Sequence, residues 1–505
     1  MRTTRIPAAA LAAIALLALP AAAHGAPRAA TVADRTPAGD FDGDGYEDLV
    51  VGAPFEDVGD AEAAGNVTVA YGEPGGAGDG GTEVVRQGLG GVPGAPEVGD
   101  QMGWAVTTGD FDGDGFDDLA VGAPGEAVGS TPAAGNVTVV PGGPTGLVGP
   151  SAQVFRQGLA PVGGAAQRSD QFGAALAAGD LDGDGFDDLV VGAPTEDVDG
   201  ARWAGTVTVL LGGPSGPGAR VTTLRQGAGG LPGTPDGYDS FGAAVAVADL
   251  DGDGFDDLAI SAPQEWSNGT VTVVPGGRGG LVGRDARSFD GGEICGCSMA
   301  AMGFGESLAA GDLDGDGYAD LVVGAPWWSP SAELSLTGNV TVLFGGEAGP
   351  GRAFVLDQST LGFAREQGDT FGASLAVGPL DGDGADDLLV GSVREAVGDI
   401  GSAGVVVRVR GATDGFPGTA TMWHQASLAG ATEADDFFGD GITIGDFSGD
   451  GIGDAAIGAP GEDVGTVADA GNVTVVDTTG GAAPFNQGSL GGAVEVGDWF
   501  GSSLG

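Results

Sequence analysis

Asp40-Phe41-Asp42-Gly43-Asp44-Gly45-Tyr46-Glu47-Asp48 puts carboxylates at positions 1, 3, 5 and 9 of a nine-residue loop, with glycines where the chain must turn. Clustered Asp side chains and a free carbonyl supply the oxygen ligands that a hard cation such as calcium takes, six to eight at roughly 2.3–2.6 Å. Without a cation, four ionised carboxylates within about 6 Å would repel one another. The loop recurs at Asp110, Asp180, Asp249, Asp312, Pro379 and Asp446, giving seven copies, five of them intact. An EF-hand starts with the same spacing but needs a bidentate Glu at position 12 and flanking helices. Position 12 here is Val51, Val121 or Val191, inside an apolar run, which excludes it. The remaining alternative is a set of solvated acidic turns.

The elements around each loop repeat as well. Phe172-Gly173 opens a short run; the loop follows at Asp180; then come the apolar run Asp188-Leu189-Val190-Val191-Gly192-Ala193-Pro194, a polar segment with Glu196 and Asp197, and the alternating run 205–211. A Gly/Pro turn at 212–214 leads to a last run ending Leu224-Arg225-Gln226-Gly227. Four short β-branched runs bounded by Gly or Pro, without helical periodicity, read as four strands. Four-stranded units repeated radially predict an all-β fold, a seven-bladed β-propeller. The 104 glycines suit tight turns and close sheet packing.

Phe-Gly or its equivalent stands at 102, 172, 241, 304, 371, 438 and 500. The first loop lacks one before it, where Val32-Ala33 stand, and Phe500-Gly501-Ser502-Ser503-Leu504-Gly505 lacks a loop after it. The C-terminal strand is therefore expected to complete the first blade and close the ring, which removes an exposed sheet edge. A truncated eighth repeat is the alternative.

Phe-Gly, the Asp-rich loop and Gly-Ala-Pro at 52–54, 122–124, 192–194, 324–326 and 458–460 together resemble the FG-GAP repeats of the integrin alpha-subunit N-terminal propeller. Ser261-Ala262-Pro263 is a near match and Gly391-Ser392-Val393 departs from the pattern. The resemblance implies a seven-bladed propeller with calcium loops on one face, ligand contacts usually on the other, and a role in binding or adhesion more than catalysis. It implies calcium ligands from the side chains at positions 1, 3, 5 and 9 and the carbonyl at position 7. These are Asp40, Asp42, Asp44, Tyr46 and Asp48; Asp110, Asp112, Asp114, Phe116 and Asp118; and Asp180, Asp182, Asp184, Phe186 and Asp188. The fourth and fifth loops supply Asp249, Asp251, Asp253, Phe255 and Asp257, then Asp312, Asp314, Asp316, Tyr318 and Asp320. The seventh keeps Asp446, Asp450 and Asp454 with Ser448 at position 3; the sixth begins at Pro379 and keeps Asp381, Asp383 and Asp387. About five to seven calcium sites are expected, with a structural role.

With 18 Lys+Arg against 71 Asp+Glu, the formal charge is −53, which excludes a nucleic-acid partner and disfavours an anionic membrane surface. Arg2 and Arg5, the apolar stretch 6–19 and Ala21-Ala22-Ala23 read as a secretory leader over 1–23, followed by a short linker over 24–34 and the propeller over 35–505. The apolar stretch is short for a membrane span, and a secreted, extracellular protein is expected. Cys295 and Cys297 could pair as a local staple, although so small a ring is often strained, and zinc would need about four ligands.

Catalytic candidates are few. His424 occupies a strand position equivalent to Arg156 and Arg225 and reads as structural. Gly501-Ser502-Ser503-Leu504-Gly505 matches a hydrolase elbow, which requires a following helix. FG-GAP repeats also accompany the glycosylphosphatidylinositol-specific phospholipase D family, whose hydrolytic part lies in a separate domain. Five Asn-x-Thr triplets beginning at Asn66, Asn136, Asn268, Asn339 and Asn472 match the N-glycosylation sequon, with a repeated structural role as the better reading. Strand alternation places the segments after Gly-Ala-Pro opposite the loops, and these carry Arg202, Trp203, Trp266, Trp327 and Trp328. They would suit an extracellular protein or carbohydrate ligand if exposed, or packing between blades if buried. A non-enzymatic calcium-binding adhesion module is expected; a hydrolase-associated propeller and a purely structural surface protein are the alternatives.

Overall fold

In each repeat the run that opens on the position-9 aspartate, such as Asp188–Ala193, is buried along its whole length, and in blades 1 to 5 so is the run after it, such as Thr206–Leu211. A strand buried on both faces needs covering sheets on both sides, which explains continuous apolar runs where a surface sheet would alternate. The computed structural model describes residues 39–505, apart from 266–267, 296–302, 332–333, 414, 429, 479 and the side chain of Cys295. The expected leader and linker, Trp266 and the Cys295–Cys297 pair lie outside the described residues.

Seven four-stranded antiparallel sheets form the fold. In blade 3 the strands are Ala175–Gly179, Asp188–Ala193, Thr206–Leu211 and Arg220–Leu224, paired in that order. The first strands of successive blades touch, which places them around the axis. Seven apolar clusters lie one at each joint between consecutive blades, and one of them joins blade 7 to blade 1 through Phe447, Val473, Phe500, Leu49 and Val51. The ring is closed. A five-residue helix, Gly291–Cys295, follows the last strand of blade 4 and is a departure from the all-strand expectation.

Closure uses the C-terminal strand as expected. Ser503–Leu504 pairs with Val51 and Gly52, and Val50 and Gly505 exchange N–H···O bonds of 2.9 and 3.1 Å. Ser503 Oγ also donates to the carbonyl of Gly103 in blade 2 at 2.7 Å. No eighth repeat is present among the described residues.

The Phe-Gly and Gly-Ala-Pro signatures are two halves of one joint. The Phe-Gly glycine has φ between +89° and +96° in all seven copies. At Gly173 a Cβ would lie 2.6 Å from the carbonyl of Asn136 and 3.3 Å from Cα of Gly122, the Gly-Ala-Pro glycine of the preceding blade. Backbone meets backbone there, which leaves no room for a side chain at Gly173 or Gly122; in blade 4 the second position holds the small Ser261 against Gly305. Gly391 keeps this contact with Gly439, so the departure at Gly391-Ser392-Val393 is confined to its last two residues. The preceding Phe (Met102 in blade 2) is buried in every copy and fills the joint.

A second repeated clamp crosses the joints near the opposite face. Gln87 Nε2 donates to Glu126 at 2.7 Å, Gln157 to Glu196, Gln226 to Glu265, Gln358 to Glu395, Gln425 to Glu462 and Gln487 to Glu56. Each Glu stands two residues after a Gly-Ala-Pro-type triplet, and each Gln stands two residues after the last strand of the preceding blade. At the blade 4–blade 5 joint Trp328 occupies the Glu position, and Phe289, Ile294 and Trp328 pack against the apolar cluster. A buried Asp two residues before each corresponding Phe-Gly faces the same Glu. In Glu56–Asp498, Glu126–Asp100 and Glu395–Asp369 burial raises both carboxyls and the partner's charge raises one of them further, so the pair favours taking up a proton. Burial, with the partner's charge added, pushes Asp100 up to about 7 and raises Glu56 and Glu395 well above the ordinary range.

Two outcomes follow from this architecture. Phe500→Ala should destabilise the ring by about 3–5 kcal/mol, read by denaturant unfolding; an unchanged midpoint would show that closure carries no load. Groups whose carboxyls are raised in the folded state stabilise it below their unfolded values, and that contribution is lost as pH climbs through the folded ones. Melting measured in saturating calcium should therefore fall between about pH 6 and 8, and Glu126→Gln, which keeps the clamp and removes one of the two facing charges, should raise Tm at pH 9 by about 1–2 °C.

Candidate functional site

The nine-residue loops form the hairpins between the first and second strands of blades 2 to 7; in blade 1 the loop leads into Leu49–Ala53, whose first-strand partner is the C-terminal Ser503–Leu504. Position 1 organises the turn: Asp110 Oδ1 accepts from Gly113 N (2.7 Å) and Asp114 N (3.2 Å), and Oδ2 from Gly115 N (3.1 Å). Asp40, Asp180 and Asp249 do the same, and Asp312 and Asp446 hold the N–H groups of positions 5 and 6. Position 9 ties the loop to the sheet. Asp118 Oδ2 accepts from Phe111 N and Oδ1 from Gly142 N, and Asp48, Asp188, Asp257 and Asp320 repeat the pattern. Position 5 caps the position-7 N–H, as in Asp114 Oδ1 with Phe116 N at 3.1 Å.

These bonds turn the carboxylates inward. In each intact loop, oxygens from three of them lie within 4.8 Å of one another: Asp40/Asp42/Asp44, Asp110/Asp112/Asp114, Asp180/Asp182/Asp188, Asp249/Asp251/Asp253 and Asp312/Asp314/Asp316. Burial, reinforced by the neighbouring loop charges, pushes Asp118 up to about 8 and Asp48, Asp188, Asp257 and Asp320 to about 7. The position-3 carboxyls Asp42, Asp112, Asp182, Asp251 and Asp314 are raised by burial and then by the position-5 charge. Oδ1 of Asp182 and of Asp314 are buried without a hydrogen-bond partner. An all-oxygen donor set, mutual repulsion and orphaned buried lone pairs fit a divalent hard cation.

The loops are also linked to one another, which the sequence reading missed. The position-8 N–H donates to the position-1 carbonyl of the preceding blade's loop at every step, from Asp117→Asp40 (3.1 Å) to the closing Glu47→Asp446 (3.3 Å). Where position 8 is acidic, its side chain adds a second bond: Asp117 Oδ2 to Gly39 N and Asp40 N, Asp187 to Asp110 N, Asp256 to Asp180 N, Asp386 to Asp312 N, and Glu47 to Asp446 N. The position-7 ring has a use besides its carbonyl. Tyr46, Phe116, Phe186, Phe255 and Tyr318 each fill the space beside the position-4 glycine of the preceding loop.

Blades 6 and 7 differ. Arg408, on the third strand of blade 6, and Arg410, just past its end, reach Asp381, Asp383 and Asp387. In blade 7 Ser448 Oγ is buried without a partner, and Asp454 is raised to about 7 by burial and then by Asp477 on the neighbouring strand.

The opposite face carries aromatic residues, though not mainly the expected ones. Trp328 packs into the blade 4–blade 5 joint, and Arg202 stacks 4.3 Å from the Trp203 ring, itself edge-on to Tyr238 at 5.2 Å. Trp327 is exposed. A longer strip runs across blades 2, 1 and 7: Trp104 lies 6.2 Å from Phe55, Phe55 5.5 Å from Trp499, and Trp499 6.3 Å from Phe437. Phe55, Asp57, Glu62, Ala63, Gly497 and Trp499 line a hollow of about 440 Å³ there. Trp104, Phe437 and Trp499 each adjoin a Phe-Gly-type pair, a position at the axial start of a blade that could have flagged them. His424 sits in the turn that delivers Gln425 to Glu462, its N–H donating to Ser427 Oγ at 2.9 Å.

Comparison with known proteins agrees with this geometry. The FG-GAP repeat family matches residues 35–70, 102–140, 172–210, 241–274 and 304–343. Integrin alpha-PS2 of Drosophila melanogaster is 32% identical over 237 residues, 44% of this chain and 15% of that protein. Integrin alpha-5 of Xenopus laevis is 35% identical over 235 residues, 44% of this chain and 20% of its own. Phosphatidylinositol-glycan-specific phospholipase D of Mus musculus is 33% identical over 178 residues, 35% of this chain and 19% of that enzyme. The matched segments thus span a fifth or less of these relatives. With the repeats, the blades and the joints all in register, the chain is an FG-GAP repeat protein with an integrin-alpha-like propeller.

Proposed function

We propose that this protein is an exported, calcium-stabilised adhesion module that holds an extracellular protein or carbohydrate on the face opposite its loops. The observation that carries the metal half is the fivefold gathering of carboxylate oxygens within 4.8 Å, with buried oxygens left unpaired at Asp182 and Asp314. The side chains at positions 1, 3, 5 and 9 of the five intact loops would hold the ions, with the position-7 carbonyls of Tyr46, Phe116, Phe186, Phe255 and Tyr318 as further oxygen donors. In blade 7, Asp446, Asp450 and Asp454 form a weaker set. A bound calcium would offset two of the four loop charges and brace the hairpin; the chain's own residues do the positioning. The aromatic strip and the integrin relatives support the adhesion half, since rigid amphipathic rings supply much of the contact energy in recognition. The phospholipase D match favours a hydrolase-associated reading less well. His424 is engaged in a turn, and a hydrolytic role would need a nucleophile and base brought together elsewhere.

Extracellular modules bind calcium at about 0.1–1 mM, so each filled site adds about 0.7–1.8 kcal/mol in 2 mM calcium. Excess chelator should lower Tm sharply, and native mass spectrometry should show one ion fewer in Asp110→Ala/Asp114→Ala; an unmoved melting curve would refute the metal reading. Trp104→Ala/Trp499→Ala should lose at least tenfold in binding on a glycan and extracellular-protein array with its calcium count unchanged. Equal binding by the variant would remove the aromatic strip as the contact surface.

A further inference from the structure

Blade 6 breaks the loop pattern at its most important place. Pro379 at position 1 removes both the carboxylate that organises the turn elsewhere and the N–H that the next loop's position-8 side chain caps; position 8 of blade 7 is accordingly Gly453. Three carboxylates remain, Asp381, Asp383 and Asp387. The third strand of the same blade, Val405–Val409, changes too. Position 408 is Arg where the other blades have Val69, Val139, Val209, Val273, Val342 and Val475, and position 410 is Arg where blades 3 and 5 have Leu211 and Phe344. Residues two apart on a strand share a face, so both guanidinium groups point the same way.

They point into the loop. Arg408 Nη2 lies 2.8 Å from Asp381 Oδ2 and 2.5 Å from Asp387 Oδ2, and its Nε lies 3.1 Å from the same Asp387 oxygen. Arg410 Nε donates to Asp381 Oδ2 at 2.5 Å and Nη2 to Asp383 Oδ2 at 3.1 Å. Every remaining loop carboxylate is thus bonded to a guanidinium. Asp387 is buried and the Arg408 side chain is 14% exposed, so the pairing is largely shielded from water. Charge-assisted bonds of this kind are roughly twice as strong as neutral ones. Two guanidinium charges against three carboxylates leave one net negative charge, whereas a divalent ion among four carboxylates leaves two.

We propose that blade 6 carries its own cation: Arg408 and Arg410 take the place that calcium takes in the intact loops, making this hairpin a calcium-independent latch in the ring. The statement about the other loops rests on the calcium reading above; the arginine latch does not. A metal ion could not enter without displacing the guanidinium groups from the oxygens it would need, against their repulsion.

The test uses the full chain. Native mass spectrometry in calcium should count the same number of ions in the wild type and in Asp381→Asn/Asp383→Asn; one ion fewer in the variant would overturn the proposal. Pro379→Asp/Arg408→Val/Arg410→Leu should bind one more ion than the wild type. Hydrogen exchange with chelator present should leave 379–387 protected in the wild type. Exchange there should be at least tenfold faster in Arg408→Val/Arg410→Leu; unchanged protection would overturn the latch even if the wild type bound no calcium at all, a result that would separately defeat the calcium reading.

Discussion

A four-stranded sheet with two apolar faces has no stable existence in water, and each blade here persists because its neighbours cover it. That dependence is satisfied for all seven blades because the last one also meets the first. The pairing of Ser503–Leu504 with Val51 and Gly52, backed by buried Phe500, is therefore the contact on which the other six joints rest. Its size is small beside the blades that it joins. The loop-to-loop ladder repeats the same closure on one face, ending at Glu47 N–H and the Asp446 carbonyl.

A formal charge of −53 works against any compact state, and the fold meets it locally with different means at different depths. Backbone N–H groups surround the position-1 and position-9 carboxylates, guanidinium groups reach the acids of blade 6, and burial with mutual repulsion raises the Glu–Asp pairs at three of the joints toward proton uptake. Each device suits its surroundings. Loops at the surface can exchange an ion with solvent, whereas a buried pair of acids can be relieved by a proton that needs no space of its own.

Much of this was legible in the chain. Repetition made it so: seven Phe-Gly-type pairs and seven loops at near-equal spacing fix blade number, strand order and the closing strand, because one repeat constrains the reading of the others. What stayed hidden were contacts between repeats. The ladder from position 8 to position 1 is a backbone bond, and the side chains there, Glu47, Asp117, Ala319 and Gly453 among them, share no chemistry. Gln157 and Glu196 were both visible as recurrent residues, but their bond joins different blades, and neither run announces its partner. Arg408 and Arg410 carried a usable signal, two charges at positions apolar in most repeats and in the same blade as Pro379. It becomes readable once strands are aligned across blades.

Among the described residues, the joint between blades 4 and 5 shows no Gln–Glu clamp of the kind that crosses the other six. Where Glu would stand there is Trp328, and the contact is made by Phe289, Ile294 and that indole. Hydrogen bonds fix two surfaces in one register; apolar contact tolerates sliding. The ladder bond from Ala319 N–H to the Asp249 carbonyl still ties this joint on the loop face, so it is held along one edge where the others are held along two, and a tangential pull on the propeller would concentrate its shear at the unclamped edge there.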